Sequence, residues 1–582
     1  MPEEGSVALW TSVAAEHLPA MVAHASPLVR ASGVGALGGL TAEALRGVSA
    51  AHRAVLTETP RALTRSDDSA NVRAAACRAV GASASLYGTL PESSSSDEKN
   101  TIASRLASDA ALLVAAMRDG AKSVRLPASW AVANVCGSAA ARARLRREAG
   151  SSVDPSQEAN ADDATLSLLA EACVDAATRE GDKVRANAAR ALGHVLAAAD
   201  FGASPPTLEP LERRPPGRVA EKLRDIAQAL MSCLATGNAK TQWNACRAVR
   251  ELFANETIAN ASASACDASM TSTALRMCLM LVRDARHFKL RAHAAATLAA
   301  PQSREAFGNA YADVLSVVAA AAEQTFVLTT ETSVTSVTSV TETNVTSVTV
   351  TPHDPDALRH APRLAARLAA TLLRVAALGR AEDAASARDA LLKKRGTFRR
   401  VALEARRAVE KAAARERTMD GSRTDDALPE DPFGTARASA EKKKKEARLG
   451  TDANAPTHED ESHDNVAVGG PRRGAEVNGA EANGSGVRPA ETCASSLDVS
   501  ALAEALSPSK SEIGSASNGL LKRPNADDAR DDARGPSSEI AAAAAGLRRM
   551  YAALGGEAND AEAGFYERLG EGEDTKEPSF VS

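Results

Sequence analysis

The chain has 582 residues and a formal charge of −5; 44 % of its residues are apolar, yet only 3 % are aromatic. Alanine supplies much of the apolar share, and isoleucine occurs only at Ile102, Ile226, Ile258, Ile513 and Ile540. A large β-sandwich or barrel draws on β-branched and aromatic residues, so this balance excludes one and favours close-packed helices. The small charge argues against a dedicated nucleic-acid coat and leaves room for local basic stripes.

The chain begins Met1-Pro2-Glu3-Glu4, without the basic and apolar regions of a secretory signal. No uncharged apolar run reaches membrane-spanning length. The eight cysteines lie far apart with no CxxC pair, so neither a disulfide framework nor a zinc site is expected. These features predict a soluble intracellular protein, cytoplasmic or nuclear, with no membrane partner.

One pattern then recurs along the chain: a turn-like stretch, an apolar anchor, usually Arg, and small residues leading to Leu or Val. Its copies are anchored on Val29, Val72, Val124, Val184, Thr241 and Leu290, at spacings of 43, 52, 60, 57 and 49 residues. A HEAT unit runs to roughly 40–47 residues, which assigns the excess to loops. Pro and Ser clusters sit where such loops belong, as at Pro91–Asp97, Gly150–Pro155 and Pro205–Gly217. Within the Val184 copy, Val184, Ala188, Ala191, Leu192 and Val195 share one face at about 100° per residue. Asn187, Arg190 and His194 form a second stripe about 110° away. Asn244, Arg247 and Glu251 fall on that stripe in the next copy, Pro127, Trp130 and Asn134 in the third, and Ala75, Arg78 and Ala82 in the second. Pro127 is read as lying in a first helical turn, where its missing N–H costs little. One helix pair cannot bury its apolar face alone, so the copies must stack.

Beyond the sixth copy, residues 325–352 read as a Thr/Ser/Val-rich low-complexity insert, favoured over an exposed β-hairpin. Residues 353–417 read as terminal helices and 418–537 as a disordered linker. The linker contains Lys442–Lys445, a solvated charge run or a nuclear-import tag. Residues 538–570 read as a helical segment that docks back on the array or serves as a partner-binding motif. The fold class is therefore all-α: a HEAT/armadillo-type solenoid over residues 1–324 with about six repeats, followed by these segments.

The blocks VRAAACRAVG from Val72, DKVRANAARALGHVL from Asp182, KTQWNACRAVRELFAN from Lys240 and FKLRAHAAATLAAPQSREAFG from Phe288 resemble the C-terminal half of the HEAT repeat-containing protein 6 family. The likeness spans roughly residues 8 to 400. It implies an all-helical superhelix without catalytic activity. It also implies that the chain opens part-way through a longer family architecture, because members carry a further helical region before this block. Gln242, where most copies have Arg, and the acidic Gly-rich tail depart from the pattern. The repeated Arg30, Arg73, Arg125, Arg185 and Arg291 are expected, as in other HEAT units, to pair with an acidic or carbonyl group of a neighbouring repeat.

No enzyme signature emerges. Gly33–Gly38 satisfies GxGxxG but falls inside a repeated helix, where small residues serve packing rather than a dinucleotide. His458 and His463 do not match HExxH, and His17, His24, His52, His194, His287 and His293 are read as surface or capping residues. No cofactor, metal or small-molecule substrate is expected. The second stripe is the candidate binding surface, since solenoids bind along their concave helices. Its residues are Arg78, Trp130, Asn134, Asn187, Arg190, Trp243, Asn244 and Arg247, and Trp and Arg are the types enriched at hot spots. The tryptophans have a second reading, as fillers beside alanine-rich neighbours. The leading expectation is a protein-binding scaffold or adaptor. The alternative is a nucleic-acid or ribonucleoprotein-associated factor using Arg78, Arg190 and Arg247 as a stripe; a transport-receptor-like carrier shares the fold.

Overall fold

Alanine-rich helical faces allow close approach, and the chain uses them to stack helices in two rows. The computed structural model describes residues 2–87, 96–148, 156–199, 218–254, 268–334, 355–424 and 536–571. No strand occurs among them. The Lys442–Lys445 run, His458 and His463 lie outside the described residues.

The helices are α1 (Pro2–Ser12), α2 (Leu18–Val22), α3 (Pro27–Ala36), α4 (Ala42–Gly47), α5 (Ala50–Ser66), α6 (Ala70–Tyr87), α7 (Ser96–Ala116) and α8 (Lys122–Glu148). They continue as α9 (Ser156–Arg179), α10 (Asp182–Ala198), α11 (Arg218–Glu221), α12 (Leu223–Thr236), α13 (Ala239–Ala254), α14 (Ala268–Asp284) and α15 (Phe288–Leu298). The last are α16 (Tyr311–Val334), α17 (Pro355–Ala377), α18 (Ala384–Lys393), α19 (Arg395–Thr424), α20 (Pro536–Leu554) and α21 (Glu557–Glu571). By contact, the chain divides into residues 1–410 with 495–582, and residues 411–494. The array described below belongs to the first unit.

Helices α3, α6, α8, α10, α13, α15, α17 and α20 stack in sequence as the second members of successive pairs. Helices α5, α7, α9, α12, α14, α16 and α18 form the first-member row. The second-member row is packed more closely than the first. Small residues make this possible. A Cβ on Gly81 of α6 would stand 2.6 Å from Ala131 Cα on α8, and one on Gly193 of α10 would stand 3.1 Å from Ala248 Cα on α13. Gly33 of the GxGxxG stretch packs the same way, against Met21. The anchors Val72, Val124, Val184, Thr241 and Leu290 are all buried.

The arginine after the anchor sets the stacking. Arg30 pairs with Asp67 at 2.8 Å, Arg73 with Asp119 at 2.9 Å and Arg125 with Glu180 at 3.0 Å, each acid lying at the turn of the following pair. The same arginines donate to carbonyls of their own turns: Arg30 to His24 and Ala25, Arg73 to Asp67 and Asp68, Arg125 to Asp119 and Gly120. Asp67 and Asp119 also accept from the backbone N–H of Ser69 and Ala121, opening the next helix. The hydrogen bond from Arg30 holds the Asp67 carboxyl below its ordinary range, and Arg73 does the same to Asp119. Further along, Arg185 reaches the Thr236 hydroxyl at 2.8 Å, a neutral substitute. Gln242 then reaches only Leu234 O, within its own pair. Asp284, at the next turn, pairs instead with its neighbour Arg283. A cleft of about 420 Å³ opens at this break, lined by Gln242, Asp284, Leu290 and the exposed Met280.

In the first-member row, Arg61 of α5 and Asp109 of α7 form a buried pair at 2.6 Å. Burial pushes the Asp109 carboxyl up against the pull of Arg61. Cys77, Cys136, Cys173, Cys233, Cys246 and Cys278 are buried free thiols; burial raises Cys77 and Cys173 to about 12.

Three sequence expectations meet different geometry. Helix α8 starts at Lys122, so Pro127 sits inside it, past the first turn. Helix α16 runs on to Val334, into the stretch read as an insert: Thr325 returns its hydroxyl to Ala321 O and Phe326 is buried. Residues 335–354 lie outside the described residues. Helix α19 likewise runs to Thr424, into the stretch read as a linker whose residues 425–535 are outside the description.

The C-terminal segment docks on the array. Glu539 of α20 meets Arg374 of α17 at 2.8 Å, Arg549 donates to Gly379 O, and Tyr551 donates to Leu391 O at 2.8 Å. Gly546 lies directly on Ala376 O. Glu562 of α21 is buried against Arg399 at 2.7 Å, and Tyr566 stacks on Tyr551 with centroids 5.7 Å apart. Gly555 and Gly556, with φ of 64° and 93°, make the left-handed turn between the two helices.

Two outcomes are expected. Gln242→Arg supplies the missing rung and raises stability by up to about 1 kcal/mol, read as a higher unfolding midpoint. Gly546→Val drives a side chain into the Ala376 carbonyl and costs about 1–3 kcal/mol, with earlier protease cleavage of the C-terminal helices. Gly396→Ala, with open space around it, serves as the control and leaves that cleavage unchanged.

Candidate functional site

The second stripe lies on the solvent side of the closely packed row, because its residues fall away from the buried anchors. Much of it is used to tie one helix to the next. Asn134 donates to Gly81 O at 3.3 Å, Asn187 to Ser129 Oγ at 3.0 Å, and Asn244, which is buried, to Ala186 O at 2.9 Å. Ser138, Thr297 and Thr371 make equivalent bonds to Ala84 O, Cys246 O and Ala295 O. In this arrangement Asn244 is buried and keeps only a small area facing the stripe. Arg190 donates from Nη2 to Trp130 O at 3.2 Å and to Asn134 Oδ1 at 3.0 Å. The structure thus joins Trp130, Asn134 and Arg190 in one network across α8 and α10, with Asn187 tied separately to Ser129.

Trp243 and Arg247, one turn apart on α13, remain half-exposed, and Arg78 stands exposed on α6. The Trp130 ring lies over Gly81, occupying the space a side chain there would fill. Trp243 is placed differently. His287 packs on it at 5.4 Å between centroids, and Lys289 Nζ stands 5.6 Å above its ring. Phe288 continues the run and stacks on His360 of α17 at 3.7 Å and 11°. Trp243, His287, Phe288 and His360 therefore form an aromatic run across three successive pairs, with Lys289 beside it. Sequence reading singled out only Trp243 from this group. The available signal was His287-Phe288-Lys289 immediately before the anchor Leu290.

Between α10 and α13 the stripe sinks into a small cavity of about 20 Å³, lined by Arg190, Gly193, His194, Asn244, Arg247, Ala248 and Glu251. Its depth follows from the Gly193–Ala248 approach. Arg190 Nε and His194 Nδ1 are buried there without a hydrogen-bond partner among the described residues. Neither Arg190 nor Arg247 forms an ion pair among the described residues, and Glu251 pairs with Arg250 at 3.4 Å. Burial, then the charges of Arg190 and Arg247, push His194 down to about 3, and burial and Arg247 lower Arg190. His194, read from sequence as a surface or capping residue, is thus a half-buried neutral imidazole beside two guanidiniums.

Among the described residues, no group of three His, Cys, Asp or Glu side chains is placed to hold a metal ion, and no helix is long and apolar enough to cross a membrane. No model of a known protein family matches the chain. Among solved structures, an engineered protein is 16 % identical, covering 48 % of this chain and 94 % of its own, with a TM-score of 0.31. Kap121p is 12 % identical over 65 % of this chain and 43 % of its own length, with a TM-score of 0.21, and its complex with Ste12p matches at the same identity and score. At these scores the solenoid assignment rests on the helix pairing described above.

The depressed His194 has a pH consequence. An unfolded histidine takes up its proton near pH 6.5, whereas the folded one waits until about 3. The unfolded chain therefore binds more protons in that window, and stability falls as pH drops from about 6.5 toward 3. His194→Gln is expected to flatten this slope in unfolding midpoints measured against pH. In the wild type the His194 ring resonances should stay unshifted between neutral pH and pH 5.

Proposed function

We propose that this chain is a non-catalytic scaffold or adaptor that holds a protein partner along its closely packed helix row, as a relative of the HEAT repeat-containing protein 6 family. The observation that carries the reading is the aromatic run Trp243–His287–Phe288–His360, half-exposed and continuous across three helix pairs. Large rings on a rigid scaffold lose little conformational entropy on contact and bury much area, which is how hot spots form. The surrounding Asn, Ser and Thr ties hold the row in place, so binding need not order it.

A nucleic-acid reading requires a continuous basic track. The position occupied by Arg78, Arg190 and Arg247 is Trp130 on α8, and Glu251 stands one turn beyond Arg247. A phosphate backbone would meet a ring and an acid where it needs cations.

The test is affinity capture with the full chain, with and without nuclease, comparing wild type with Trp243→Ala/Lys289→Glu. Protein partners that survive nuclease and are lost in the variant are expected. Partners that vanish with nuclease would replace this reading with a nucleic-acid-dependent one.

A further inference from the structure

The cavity between α10 and α13 gathers Arg190, His194 and Arg247 around a single acid, Glu251, which is paired with Arg250. Arg190 uses Nη2 on Trp130 O and Asn134 Oδ1, while its Nε–H points at no acceptor. His194 lies with its ring edge over Gly137 of α8, 3.6 Å from where a Cβ would stand, and its Nδ1 is likewise unpartnered. Arg247, half-exposed on α13, lines the same cavity. The one carboxylate in the lining, Glu251, is turned to Arg250. A buried donor without an acceptor costs about 1–3 kcal/mol, and more when charged, so an anionic oxygen entering here removes a standing penalty as well as forming new bonds.

We propose that this cavity seats a carboxylate from an acidic segment of the protein partner, held between Arg190 Nε, His194 Nδ1 and the Arg247 guanidinium; the proposal rests on the protein-scaffold reading above. Size supports a carboxylate: about 20 Å³ admits one oxygen, leaving the second toward the half-exposed Arg247. Neutral His194 contributes a donor from its Nδ1–H tautomer without adding a third positive charge. The site is a single seat rather than a track, since Trp130 occupies the matching position on α8 and Ala296 that on α15.

The experiment measures anisotropy of a labelled alternating Glu/Asp peptide with the full chain, against an alternating Gln/Asn peptide and an oligothymidylate. The acidic peptide is expected to bind and its neutral counterpart not. Arg247→Gln should weaken binding by about tenfold or more, and Arg286→Gln, on the exposed turn before α15, by less than about twofold. Arg247 forms no ion pair among the described residues, so its variant is expected to keep the wild-type unfolding midpoint, which is checked alongside. Equal binding by wild type and Arg247→Gln overturns the proposal, as does oligothymidylate binding that the acidic peptide cannot displace. If Arg247→Gln has no effect while Trp243→Ala/Lys289→Glu still loses the captured partner, the seat falls and the scaffold reading stands.

Discussion

The array depends on one repeated interaction, the arginine that follows each anchor and grips the turn of the next helix pair. A helix pair with an alanine-rich face can slide against its neighbour with little change in buried area. A guanidinium fixed by two carbonyls of its own turn and by an acid on the next resists sliding, through two carboxylate oxygens at Arg30 and Arg73 and a single ion-pair contact at Arg125. Arg30–Asp67, Arg73–Asp119 and Arg125–Glu180 thereby set the register, and Asp67 and Asp119 also open the next helix. One side chain thus joins a stacking contact to a helix start. Toward the C-terminus the rung weakens to a hydroxyl at Thr236 and is interrupted at Gln242, where the turn edge opens.

Close approach in the second-member row has an electrostatic consequence. Where Gly81 and Gly193 bring backbones together, polar side chains on the stripe are drawn partly out of water. Most find a carbonyl on the next helix, as Asn134, Asn244, Thr297 and Thr371 do. Arg190 and His194 are satisfied only in part, and neither Arg190 nor Arg247 forms an ion pair among the described residues to offset their mutual repulsion. The same packing that stabilises the array creates this polar recess.

The end of the array faces the difficulty common to solenoids, an apolar last face. Here α20 and α21 cover α17, α18 and α19 through Gly546, Met550, Tyr551 and the buried Glu562. Arg374, Arg395 and Arg399 supply the counter-charges, so the terminal layer reuses the arginine–acid pairing of the turns with different helices.

The helical repeat was legible in the sequence because its period, its anchors and its alanine content are local properties. The following arginine was legible as a stacking residue for the same reason: it recurs at a fixed offset. Helix ends were less so. Val334 ends a helix that runs into polar text past the buried Phe326, and Thr424 ends another that runs past residue 417, neither of which a local pattern reveals. The stripe was visible as an angle on a helical wheel, but an angle does not say whether a side chain meets solvent or a neighbour's carbonyl. Asn244 and Arg247 share that stripe; the first is buried on Ala186 O and the second faces the cleft. The partnering of His287 with Trp243, and of His194 with two arginines, depends on how closely neighbouring helices approach, which at His194 is set by Gly193 against Ala248. The sequence by itself determined the repeat and its core face, since both follow from periodicity. Only the tertiary structure decided which polar side chains are spent on the stack and which remain free, because that depends on how closely separate helices approach.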